Sequence, residues 1–308
     1  MARLDLAIDH LTRPGFGVLV VDDYADVALR DREIRADAMR DLVDFALSPA
    51  ARPSLGAVLL SPAHLTLRRP LVAPPDGELP AVGVGVDLGV GPVAVGSAVA
   101  AARRLGATFV ELRANRRPGQ FARGEPHVDA RAVTGTAALA QEAGLVPVVT
   151  VALPGLPGSR IGVTRAVMVN ALRAVFDAAA DLRCDPARLV VRLPLVAPGP
   201  RSGQDASADV VAEHTLDALD EAVPTEVPAV WFLSAGHDLP DVCGQLATVS
   251  RLALERGVTR ALGFALGRAL LEPALDGWRD GGPARARQRF GAACEAAHRA
   301  LVPALASH

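Results

Sequence analysis

Eight short apolar runs rich in β-formers recur along the chain, separated by alanine-rich stretches of helical pattern. The runs are residues 18–22 (VLVVD), 57–61 (AVLLS), 82–87 (VGVGVD), 108–113 (TFVELR), 146–151 (VPVVTV), 189–193 (LVVRL), 229–233 (AVWFL) and 261–266 (ALGFAL). Strands alternating with helices predict a parallel sheet of the α/β class. Eight strands also close a barrel with a side-chain-filled interior, so the pattern predicts a (β/α)8 TIM barrel. Alternation does not by itself show closure, and an open doubly wound sheet fits it too. Residues 96–106 read as a helix ending on a glycine stop, and 207–223 as one opening on a serine cap. No composition shift marks a boundary, so residues 1–308 read as one barrel domain.

Composition excludes several function classes. The formal net charge of -2 comes without the clustered positive charge that nucleic acid requires. Cys184, Cys243 and Cys294 match neither a zinc spacing nor a disulfide framework, which fits a reducing cytoplasm. The first residues carry early acids and no signal-peptide pattern, and apolar runs break before membrane-spanning length. A soluble cytoplasmic protein with no membrane partner is expected. His64, His127 and His237 show no metal-ligand spacing and read as unrelated surface residues, so neither metal nor cofactor is expected. One compositional fact bears directly on chemistry: all 32 basic residues are arginine. Arginine stays protonated and forms no imine, so it cannot replace a nucleophilic lysine.

The long Gly- and Pro-rich loops at 114–128, 153–162 and 197–206 follow strands 4, 5 and 6. Loops in that position lie at the C-terminal face of a barrel, where substrates bind. The Pro-rich stretch at 68–80 reads as a connector before strand 3.

Six segments carry a family resemblance in order along nearly the whole chain: 13–23 (RPGFGVLVVDD), 144–149 (GLVPVV), 190–199 (VVRLPLVAPG), 227–238 (VPAVWFLSAGHD), 262–270 (LGFALGRAL) and 274–278 (ALDGW). Together they resemble the class I fructose-bisphosphate aldolases, whose fold is a (β/α)8 barrel. The resemblance places the family's acid–base aspartate on Asp22 and a second strand aspartate on Asp87. The family's active-site lysine on strand 3 falls on Gly85, and that on strand 4 on Glu111, while the neighbouring arginine is kept as Arg113. The strand 5 glutamates fall on Thr150 and Ala152, and the Schiff-base lysine on Arg192. Tyr24 is the chain's only tyrosine, so the family's C-terminal tyrosine has no counterpart. The phosphate-binding positions fall on Ser234 and Gly236 after strand 7, and on Gly267 and Arg268 after strand 8. Backbone N–H groups and a guanidinium at such loops make an anion cradle. Pro273, early in the next helix, suggests that this helix begins late.

The resemblance therefore implies a lyase-like site without its imine. Asp22, Glu111, Arg113 and Arg192 are the catalytic candidates, with Tyr24, Asp87 and Thr150 as further pocket residues. Burial that raises an acid would let it move protons, while arginines hold an oxyanion or carboxylate. Glu111 and Arg192 are expected to be neighbours, and a purely structural network of paired charges is the competing reading. The expected function is aldol-type, non-covalent acid–base chemistry on a small phosphorylated or carboxylated carbonyl compound. The alternative is an inactive homologue that binds sugar phosphates or a protein partner. Ordinary glycolytic aldolase activity ranks last, because the nucleophile is missing. A homo-oligomer is expected from the resemblance.

Overall fold

Strand positions are buried almost throughout, because in a closed barrel one strand face meets the interior and the other meets helices. The computed structural model describes residues 2–22, 28, 37–62, 64, 81–113, 129–152 and 157–302. Helix α1 (Ala2–Leu11) precedes β1 (Gly17–Val21), α2 (Asp37–Ala46), β2 (Ala57–Leu60) and β3 (Ala81–Val86). There follow α3 (Pro92–Arg104), β4 (Phe109–Arg113), α4 (Ala130–Glu142), β5 (Val146–Thr150) and α5 (Ile161–Asp181). The order ends with β6 (Val190–Pro194), α6 (Ala208–Ala222), β7 (Ala229–Leu233), α7 (Leu239–Glu255), β8 (Ala261–Leu266) and α8 (Arg268–Leu301), which kinks at Gly281 and Gly282.

Each strand pairs in parallel with the next, and β8 returns to β1 through Gly17 opposite Phe264. This closure decides between the two sheet arrangements in favour of the (β/α)8 barrel. Alternation along each strand then divides the core in two. Val18, Leu59, Phe109, Val148, Val190 and Trp231 fill the barrel interior, and Leu4, Ile8 and Leu11 of α1 pack against them. Their neighbours on the outer face, such as Leu19, Val110, Val191 and Phe232, pack under the helices.

Aromatic rings sitting over glycines fill the interior of the barrel. A Cβ on Gly83 would lie 2.0 Å from Phe109, and one on Gly263 2.8 Å from Trp231. Phe16 stacks on Trp231 with ring centroids 5.6 Å apart, and Phe109 meets Trp231 edge-on at 5.7 Å. The missing side chains make room for large rings, which dominate the buried apolar area here. Further along the strands, the inward positions turn polar at Glu111, Thr150 and Arg192.

Helix α8 departs from expectation. It starts at Arg268, immediately after β8, with Pro273 inside it. Proline in a helix interior costs about 3 kcal/mol. The flanking Leu270, Leu271, Ala274 and Leu275 are all fully buried, and that packing outweighs the local preference. Among the described residues no helix is long and apolar enough to cross a membrane.

Candidate active site

A pocket of ≈ 300 Å³ opens at the C-terminal ends of β1, β6, β7 and β8. Its polar lining is Asp22, Arg192, Ser234, Gly236, Gly267 and Arg268, and its apolar lining includes Val20, Leu233 and Ala265. Strand alternation explains the set. Val20 and Asp22 share one face of the β1 segment, and Leu233 follows the inward Trp231.

The wall on the β7–β8 side is built from two loops. After β7, the carbonyl of Ser234 accepts from the N–H of His237 at 2.9 Å. The two central residues of this turn, Ala235 (φ 48) and Gly236 (φ 97), are both left-handed. After β8, Gly267 lies so close to β1 that a Cβ would sit 2.9 Å from the Val20 carbonyl oxygen, which explains the glycine. Gly267 is also the N-cap of α8; its carbonyl accepts from the Leu270 N–H at 3.0 Å, and a helix N-terminus favours anions. Arg268 opens that helix, and its guanidinium donates to the Gly236 carbonyl, joining the two loops.

Behind this wall, Glu111 and Arg192 form an ion pair across β5. Arg192 Nη1 donates to Glu111 Oε1 at 2.6 Å, and the Thr150 hydroxyl donates to the same oxygen at 3.0 Å. Arg113 Nε donates to both Glu111 oxygens at 3.2 and 3.3 Å. Glu111 is 2% exposed and Arg192 7%. Burial acts to raise the Glu111 carboxyl, but the charges of Arg192 and Arg113 and the Thr150 hydroxyl outweigh it. The group is held below its ordinary range. The expectation that burial raises an inward acid therefore fails for Glu111, which is a fixed carboxylate. Burial pulls Arg192 below its ordinary value, while Glu111 pushes it back up. A guanidinium so placed stays charged at neutral pH.

The family model for class I fructose-bisphosphate aldolase, the glycolytic type, matches residues 95–307. The chain belongs to the class I fructose-bisphosphate aldolase family. Cytosolic fructose-bisphosphate aldolase 6 of Arabidopsis thaliana is 27% identical, with 96% of this chain and 89% of that protein covered. Human fructose-bisphosphate aldolase C is also 27% identical, over 89% of this chain and 82% of that protein. A solved structure of fructose-bisphosphate aldolase from Plasmodium falciparum superimposes with a TM-score of 0.80 at 19% identity, covering 97% of this chain and 94% of that one. That last likeness concerns the fold.

Within this aldolase-family barrel, the expected residues fall in different places. Asp22, Arg192, Ser234, Gly236, Gly267 and Arg268 meet in the pocket. Glu111, Thr150 and Arg113 do not line it; Glu111 holds Arg192 from behind, Thr150 and Arg113 in turn bond Glu111, and the Arg113 side chain is 57% exposed. Asp87 corrects its expected place, because it is exposed and caps a short 3-10 turn by accepting from the Gly89 N–H at 2.8 Å. Tyr24 and His127 lie outside the described residues. His64 corrects the reading of surface histidines: it is 5% exposed, and its Nδ1 lies 2.7 Å from the Ser61 hydroxyl. Among the described residues no cluster of His, Cys, Asp or Glu could hold a metal ion. Sequence reasoning missed Val20, Leu233, Ala235 and Ala265 as pocket residues. The period of two from Asp22 and Trp231 was the signal that would have found Val20 and Leu233.

Proposed function

We propose that this aldolase-family chain handles a small phosphorylated or carboxylated carbonyl compound by non-covalent acid–base chemistry. One observation carries the reading: a pocket joins an acid, Asp22, to a buried guanidinium, Arg192, and to Arg268 at the start of α8, in a chain with no lysine. In the cleavage direction, Asp22 removes the proton from a hydroxyl β to the substrate carbonyl. The carbon–carbon bond breaks, an aldehyde leaves, and the electron pair collects as an enolate. Arg192 stabilises the enolate oxygen, and the proton held by Asp22 returns to the enolate carbon. Glu111 and Thr150 position the guanidinium rather than move protons. The Ser234–Gly236 loop and the start of α8 hold the anionic end of the substrate.

The test is a turnover screen of purified protein on phosphorylated ketoses and keto acids. Turnover should survive borohydride and chelator, and Asp22→Asn should lower kcat by about 100-fold or more. Unchanged kcat in Asp22→Asn, or a borohydride-trapped adduct seen by mass spectrometry, overturns the mechanism. The Glu111–Arg192 pair favours one second reading, because a retired site could settle into such a pair. In that case the protein binds sugar phosphates without turnover.

A further inference from the structure

The Gly- and Pro-rich loops after β5 and β6 bond to each other at the barrel mouth. The Gly199 N–H donates to the Ser159 carbonyl at 2.8 Å, and the Arg201 N–H to the Pro157 carbonyl at 2.6 Å. A third bond joins the loop after β6 to the helix that follows β5. Gln204 Oε1 accepts at 3.0 Å from the N–H of Ile161, the first residue of α5.

That third bond replaces a cap which the local sequence does not supply. The first N–H groups of a helix have no intrahelical acceptor, and a side-chain oxygen at the N-cap commonly takes one. Asp129, Ser207 and Asp238 do so for α4, α6 and α7, accepting from the N–H groups of Ala132, Val210 and Asp241. The N-cap of α5 is Arg160, whose side chain has only donors and makes no cap bond. The acceptor comes instead from the neighbouring loop, 43 residues away in the chain.

The loop after β6 is built to present that acceptor. Its entry is held where the Val196 N–H donates to the hydroxyl of the fully buried Thr215 at 2.9 Å. Gly199 to Ser202 then close a turn, the Ser202 N–H donating to the Gly199 carbonyl at 2.9 Å. Pro200 takes the second position of this turn, which its fixed φ suits. The Ser202 hydroxyl accepts from the Gln204 N–H at 3.2 Å, and Gly203 between them has a left-handed φ of 67. Glycine adopts that φ at no steric cost. At the far end Ser207 caps α6.

We propose that these two loops form one conformational unit, latched by Gln204, which opens and closes as a whole on the β5–β6 side of the barrel mouth. Release of the Ile161 cap frees the start of α5, and with it the carbonyls that Gly199 and Arg201 bond. The device does not depend on which ligand the pocket takes.

Hydrogen exchange of the full chain, resolved to single amides by NMR, tests it. Bonds within one cooperative unit break in the same opening, so their amides share one protection. Gly199 and Arg201 should have protection factors within about threefold of each other. In Gln204→Ala both should fall by about tenfold or more, although the substitution touches neither of their bonds. Gln204→Glu keeps an acceptor oxygen for Ile161 and should keep the protection of both. Leu172, fully buried in the middle of α5, should exchange alike in all three proteins, which separates release of the loops from unfolding of the barrel. A fall confined to Ile161, with Gly199 and Arg201 unchanged, overturns the proposal. So does an equal fall at Gly199, Arg201 and Leu172, which would show general loosening.

Discussion

Glu111 is the residue on which the interior chemistry turns. Its carboxylate takes hydrogen bonds from Arg192, Thr150 and Arg113, and it is almost wholly out of contact with water. Removing one member of such a pair leaves an uncompensated buried charge, which costs about 3–5 kcal/mol. Glu111→Gln should therefore be destabilised by roughly that amount at neutral pH, read by urea denaturation. The pH dependence has a definite sign. The folded-state pKa of Glu111 lies below its ordinary value of 4.5. The stability it supplies is fully present above pH 4.5 and is lost as pH falls through the lowered folded value. The gap between wild type and Glu111→Gln should accordingly close in acid. A gap that stays constant from pH 7 to pH 3 would show that the ion pair is not its source.

At the scale of elements, the turn after β7 carries visible strain. Ala235 at φ 48 and Gly236 at φ 97 are the central pair of a turn that requires positive φ at both. An L-residue in that region costs about 1–2 kcal/mol, whereas glycine adopts it freely at a smaller entropic cost. Ala235→Gly should raise the urea midpoint without changing the slope, a net gain of up to about 1 kcal/mol. A lower midpoint would mean that the Ala235 methyl is held by contacts that matter more than its backbone. The strands themselves were legible in the sequence: all eight fall within one residue of the expected runs, because apolar runs bounded by Gly, Pro and polar loops have few other ways to be buried. Most pocket residues were legible too, since Asp22, Arg192, Ser234 and Arg268 sit at strand ends that the family resemblance marks. What the sequence hides is set by distant partners. Burial of His64 depends on where the chain turns after β2. The unbroken start of α8 at Pro273 depends on packing by its neighbours. The lowered carboxyl of Glu111 depends on an arginine 81 residues away.

Over the whole molecule, ion pairs tie adjacent helices of the outer ring. Arg165 and Arg173 of α5 bond Glu221 of α6 at 2.7 and 2.9 Å. Arg251 and Arg256, on and just after α7, bond Asp209 and Asp217 of α6 at 2.6 and 2.7 Å. These pairs are solvent-exposed in part, and such pairs contribute about 0–1 kcal/mol each. The core beneath them carries the stability. Arg173→Ala should shift the unfolding free energy by less than about 1 kcal/mol, and raising salt to about 1 M should shrink that difference further. A loss several times larger would make the ring a principal brace of the barrel.

The grip of Glu111 on Arg192 has a consequence for any attempt to give this barrel a nucleophile. A lysine placed at position 192 would put an ammonium group beside a fixed carboxylate. That neighbour favours the protonated amine, whereas attack on a ketone requires the neutral one. A single substitution would thus yield another cation, not a nucleophile. A neutral amine at that position would need the carboxylate on β4 removed as well.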